Sequence, residues 1–161
     1  FMAVGPSELP EIVLAALGPK MLELAASQTA GAHPYFVPPE HTQIAREVMG
    51  SEALLYPEQM VVLEEDPGTA RAIARQHMKT YSALPNYANN LMRLGYDADD
   101  IENMADVVVD AVVAWGSIEA IKKRVQDHFD AGADHVCVQV LTEEPQTVPE
   151  GWRQLAPALV G

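Results

Sequence analysis

A chain of 161 residues that is 48% hydrophobic and 20% charged is long enough and apolar enough for one domain with a real core. Its net charge of −13, from 23 acidic against 10 basic side chains, repels phosphate backbones and argues against a nucleic-acid partner. The longest apolar run, residues 12–17, falls far short of a bilayer span; nothing from Phe1 onward reads as a secretory leader, and a single cysteine, Cys137, fits a reducing compartment, so no membrane role and a cytoplasmic location are expected.

Residues 12–16 form a continuous apolar run, which predicts a strand buried on both faces. Gly18-Pro19 stops it, and Pro19 suits the first position of a helix reaching about Gln28. A second strand is predicted over 32–37, then a helix over 40–49 that follows Pro38-Pro39 and ends at Gly50. The third strand covers 59–64, and Asp66-Pro67 opens a helix over 68–81. The next fifty or so residues read as helix, in pieces at 86–94, 98–104, 107–115 and 118–131. The Val107-Val108-Val109 run would also suit a strand, but Val108, Ala111, Val112 and Trp115 fall at helical spacing. Gly132 precedes a fourth strand over 135–141, with Val136, Val138 and Val140 on one face and His135, Cys137, Gln139 and Leu141 on the other. A last helix is predicted over 150–159.

Strands separated by helices imply right-handed βαβ units and an α/β fold with a parallel sheet. Four strands are few for a closed (β/α)₈ barrel, which takes about 250 residues. An open four-stranded sheet and half a barrel both remain, in a single domain over 1–161 with no internal repeat or linker.

Residues 15–21 carry the most chemistry. A strand ends, a glycine opens the backbone to approach, and a helix begins with unpaired N–H groups, which is how an anion site is built. Lys20 would add a full charge. The same turn can also bind nothing, so the corner alone leaves both readings open.

Five segments resemble blocks of the luciferase-like monooxygenase superfamily, in its branch of probable deazaflavin-dependent oxidoreductases. They are AALGPKMLELA at 15–25, PYFVPPEHT at 34–42, LPNYANNLMRLGY at 84–96, DAVVAWG at 110–116 and AGADHVCVQVL at 131–141. The resemblance runs in order from about Glu11 to Leu159. It implies parallel βα units forming the second half, strands 5–8, of a TIM (β/α)₈ barrel. It also implies a flavin- or deazaflavin-dependent oxidoreductase or monooxygenase acting on a small-molecule substrate, with coenzyme F420 (a deazaflavin) ahead of FMN and hydride transfer ahead of oxygen insertion. By the same resemblance Leu17, Gly18, Pro19 and Lys20 become the cofactor-binding candidates.

The first half of such a barrel has no counterpart here. A half-barrel leaves two open strand edges and one uncovered inner face. The chain is therefore expected to be a fragment, to form a homodimer or to associate with another chain, and to be inactive alone. A non-catalytic half-barrel serving as an assembly or small-ligand module is the alternative.

Sites in this fold lie at the C-terminal ends of the strands, which makes Tyr35, Phe36 and Gln139 substrate-pocket candidates, with Thr142 near them. Asp134 and His135 start a strand and are expected to cap or pack. His33 and His41 are weighed as proton carriers against surface roles; His77 and His128 are expected to be solvated, as are Lys122, Lys123 and Arg124. Asn86 is expected to cap its helix, and Cys137 to be a buried small side chain. No spacing of His, Cys, Asp or Glu suggests a metal site, and no catalytic residue is assigned.

Overall fold

The computed structural model describes residues 10–160. The chain opens with β1 (Val13–Leu14), α1 (Pro19–Gln28), β2 (Gly31–Ala32) and α2 (Pro39–Met49). Prolines sit in the first turn of both helices, where the missing N–H costs nothing. Next come β3 (Leu54–Leu55) and β4 (Glu58–Val62), then four helices in succession: α3 (Pro67–Ser82), α4 (Pro85–Arg93), α5 (Ala98–Glu102) and α6 (Asp106–Val112). The chain closes with β5 (Val113–Trp115), α7 (Ile118–Asp130), β6 (Cys137–Val140), a 3₁₀ turn at Pro145–Thr147 and α8 (Val148–Leu159).

Every strand pairing is parallel, in the orders β1-β2-β3 and β5-β4-β6. One continuous extended path, interrupted only at Tyr56-Pro57, joins the two sheets. Tyr56 and Glu58 donate their amides to the Ala32 and Pro34 carbonyls at 2.9 Å, and on the other side Cys137 donates to the Pro57 carbonyl at 2.9 Å. Among the described residues, β1, β5 and β6 each have a strand partner on one side only.

Two strands escaped the sequence reading. Leu54–Leu55 is too short to show a period, and residues 107–115 divide into α6 and β5 rather than forming one helix. Val113 leaves the helix because its amide region enters the sheet: Val113, Ala114 and Trp115 lie in register with Met60, Val61 and Val62. The runs at 12–16 and 32–37 pair regularly over only two residues each.

Side-chain alternation along β4 divides the core. Met60 and Val62 enter a cluster with Ala70, Ala74 and Met78 of α3, Leu91 of α4 and Val109 of α6. Val61 faces the other way, with Ala114, Ile121, Val140 and Leu155 beneath α7 and α8. A third cluster, including Leu22, Ala25, Ala45 and Leu55, fastens α1 and α2 to the first sheet. The inner face expected to lie bare is therefore covered over β4, where Glu58, Met60 and Val62 are at most 5% exposed. The cover is the chain's own helical excursion, α3 to α6.

Polar groups tie the layers. The Arg46 guanidinium donates to the Gly132, Gly50 and Ala53 carbonyls and to Asp134 at 2.6 Å, and the same Asp134 oxygen accepts the Leu55 amide at 2.8 Å. Asp134 is structural, as its place at a strand start implied. Arg124 departs from expectation: it donates to the Asp110 and Ala111 carbonyls at 2.8 Å, capping the end of α6 instead of lying in solvent. Asn86 does not cap α4; Leu84 holds the cap position and Asn86 falls inside the first turn.

Candidate functional site

The corner after β1 is built as the sequence implies, with one change of emphasis. Gly18 is the residue before α1 and has ordinary extended backbone, φ −84° and ψ 158°, so its conformation does not demand glycine. What glycine contributes is room: a Cβ there would face the Arg93 guanidinium at 3.7 Å. Met21 and Leu22 return their amides to the Gly18 carbonyl at 3.0 Å, while the Lys20 amide, at the second helical position, has no helical carbonyl to reach. Pro19 and Lys20 are exposed, and Leu17 and Gly18 are partly buried.

Residues distant in sequence complete this corner. His41 Nε2 donates to the Leu17 carbonyl at 2.9 Å, and Arg93 Nη2 donates to Asn90 Oδ1 at 3.0 Å. Asn90 Nδ2 and His41 Nδ1 are buried without a partner. Arg93 forms no ion pair among the described residues. His41 is buried rather than on the surface, and burial lowers its pKa. Nothing local in the sequence announces Arg93, because α4 reaches the corner only through tertiary packing.

At the same rim, three polar side chains converge. Tyr35, just after β2, donates its hydroxyl to Gln139 Oε1 on β6 at 2.8 Å. His77 Nε2, from α3, lies 3.4 Å from the Tyr35 hydroxyl and 3.5 Å from Gln139 Nε2. His77 and Gln139 line a cavity of about 360 Å³ with Ile73, Leu141, Thr142 and Val148. Two of the predicted pocket residues thus meet in space. His77, expected to be solvated, is half-buried instead, and that burial lowers its pKa.

Phe36, the remaining pocket candidate, does not line this cavity but lies in the core beneath α3 and α4. It is 1% exposed, stacks on Tyr81 with ring centroids 5.6 Å apart and meets the edge of Tyr87 at 5.5 Å. Its φ of 62° is unusual for a bulky residue and costs on the order of 1 kcal/mol, which the aromatic packing offsets. The Phe36 amide donates to Glu58 Oε2 at 3.4 Å. Glu58 Oε1 is buried with no partner, and burial pushes this carboxyl up to about 8.

The other histidines are structural. His128, also expected in solvent, is fully buried between Thr42 at 2.8 Å and Gln59 at 3.0 Å, and burial drives its pKa down to about 4. His33 donates from Nδ1 to the Tyr56 carbonyl at 2.5 Å, and His135 stands edge-on to Tyr56 at 5.8 Å. Cys137 is half-buried, and burial raises its thiol pKa away from thiolate chemistry. Among the described residues no three His, Cys, Asp or Glu side chains gather as a metal site would require.

No family model and no curated protein matches the chain. Solved structures match it in fold. One is an F420-dependent secondary alcohol dehydrogenase in complex with an F420-acetone adduct, with a TM-score of 0.66 and 14% identity over 96% of this chain and 50% of that one. A second is the coenzyme F420-dependent tetrahydromethanopterin reductase of Methanopyrus kandleri, with a TM-score of 0.68 and 14% identity over 92% of this chain and 51% of that one. A third is the oxygenating constituent of 3,6-diketocamphane monooxygenase from Pseudomonas putida, in complex with FMN, with a TM-score of 0.60 and 14% identity over 93% and 49%. These neighbours have the luciferase-like barrel fold. The chain matches half of it. It spans about half the length of the solved chains it resembles, as parallel βα units without a closed barrel. No helix among the described residues is long and apolar enough to cross a membrane.

Proposed function

We propose that this chain is the half of a luciferase-like, flavin- or deazaflavin-dependent oxidoreductase that holds the cofactor's phosphate-bearing tail. The observation that carries this reading is the Gly18-Pro19-Lys20 corner. It follows a parallel strand, opens outward at the rim where barrel enzymes place their sites, and has the Arg93 guanidinium laid beside it. In a chain of net charge −13, a helix N-terminus flanked by Lys20 and Arg93 is a local cationic exception. The residues present fit an anionic tail: Gly18 keeps the backbone approachable, and the buried Asn90 amide next to Arg93 has an unused donor.

A bound deazaflavin or flavin would supply the redox chemistry, while the chain's own groups bind and orient it. Coenzyme F420 is proposed ahead of FMN on the motif resemblance, with hydride transfer to or from a small molecule as the reaction and oxygen insertion second. The free edges of β1 and β6 propose a second copy of the chain, or another chain, as the missing wall. Calorimetric titration with F420, FMN and riboflavin tests this directly. F420 or FMN should bind, riboflavin, which lacks the phosphate, should bind at least about tenfold more weakly than FMN, and Lys20→Met or Arg93→Met should each cost a few-fold. A folded protein that binds neither F420 nor FMN would remove the proposal. It would favour the second reading, a non-catalytic binding module, which the chain's own helical cover over β4 already supports.

A further inference from the structure

We infer that the Tyr35–His77–Gln139 trio is a recognition site for an uncharged carbonyl or hydroxyl oxygen. This deepens the oxidoreductase reading by naming a substrate class, but the binding claim rests on the trio alone. Tyr35 commits its only proton to Gln139 Oε1 at 2.8 Å, which leaves the phenol oxygen free to accept. His77 Nε2 can then satisfy only one neighbour. Protonated at Nε2, it donates to the Tyr35 oxygen and confronts the Gln139 N–H with another N–H; protonated at Nδ1, it accepts from Gln139 and leaves the Tyr35 oxygen only the neighbouring Tyr81 hydroxyl. Both contacts, at 3.4 and 3.5 Å, are long for bonds that have found their partners.

One oxygen atom entering from the cavity resolves the conflict. A carbonyl oxygen can accept from His77 Nε2–H and Gln139 Nε2–H together; a hydroxyl can accept from His77 and donate to the Tyr35 oxygen. The surroundings select against charge. Ile73, Leu141 and Val148 line the same cavity, burial disfavours a protonated His77, and Glu143 at the mouth opposes an anion. Tyr81 and the buried Glu58 stand behind Tyr35, and the Tyr35 hydroxyl itself is held un-ionised by burial. A volume of about 360 Å³ admits a small ring or a short branched chain.

The test uses the chain without any flavin, so failure of the cofactor reading leaves it intact. Cyclohexanone and cyclohexanol are titrated while the ¹⁵N resonances of the His77 ring are followed, with cyclohexanecarboxylate and cyclohexylammonium as charged controls. The expected result is saturable movement of the His77 Nε2 resonance with the two neutral probes. Tyr35→Phe, which keeps the ring and its stacking, should weaken cyclohexanol about tenfold and cyclohexanone less, because only the hydroxyl needs the phenol oxygen. Gln139→Leu should weaken the ketone about tenfold. An unmoved His77 resonance, equal binding of either charged control, or unchanged affinity in both variants would overturn the assignment.

Discussion

Glu58 and His128 hold opposite ends of this protein's pH dependence. Glu58 titrates at about 8 in the fold against an ordinary 4.5, so the stability it contributes is complete below pH 4.5 and is lost as pH rises through 8. His128 titrates at about 4 against an ordinary 6.5, so its contribution is present above pH 6.5 and is lost as pH falls through 4. The two slopes oppose each other between 4.5 and 6.5; above that only Glu58 remains. Denaturant melts should therefore show a loss of about 2–3 kcal/mol between pH 6 and 8.5, and Glu58→Gln should flatten it. Equal slopes in the two proteins would mean that Glu58 is ionised throughout. At the corner, Gly18→Val should fold normally, since the backbone there is ordinary and a side chain meets only the flexible Arg93, yet it should weaken FMN several-fold by filling the space over the amides. A thermal melt and an FMN titration on one sample separate those outcomes. The placement of Tyr35 and Gln139 at one rim was legible because each falls late in or just after a strand. His77, Glu58 and Arg93 were not, because their importance comes from what α3, α4 and the β2 corner lay against them.

Among the elements, β2 has the least tolerance. A Cβ on Gly31 would land on the Leu54 carbonyl and adjacent backbone, so β2 and β3 approach each other only because residue 31 is glycine. Gly31→Ala should cost at least about 2 kcal/mol, read as a lowered urea midpoint with loss of the first sheet's cooperativity. A variant as stable as the parent would show that β2 can shift without penalty. Helix placement was largely readable: proline in the first turn and Asp66 bonding the Thr69 amide are local signals that packing did not override. The split at Val112 was not readable. A β-branched run at helical spacing satisfies both templates, and only pairing with Met60 to Val62 settles which one holds.

For the whole molecule, the proposed association turns on the open edges and the outer face of β6. Phe129 and Trp152 are exposed beside an apolar cavity of about 480 Å³ along β6 and α8. The proposed association should therefore bury that side, and because each copy carries −13, raising the salt from 0.05 to 0.5 M should favour the dimer, by roughly the loss of screening-range repulsion. Trp152→Glu should shift sedimentation toward monomer; a parent protein that stays monomeric at every salt concentration would count against the idea. By itself the sequence determined that strands alternate with helices, that they run parallel, and that a glycine-proline corner opens a helix after the first strand. Those features are written in periods and turn residues a few positions apart, which short-range sterics and capping enforce. Only the tertiary structure decided that the long helical excursion folds back over β4, burying a carboxyl and drawing His77 and Arg93 to the rim. Contacts between residues so far apart in the chain depend on packing and desolvation, and these leave no periodic mark in the sequence.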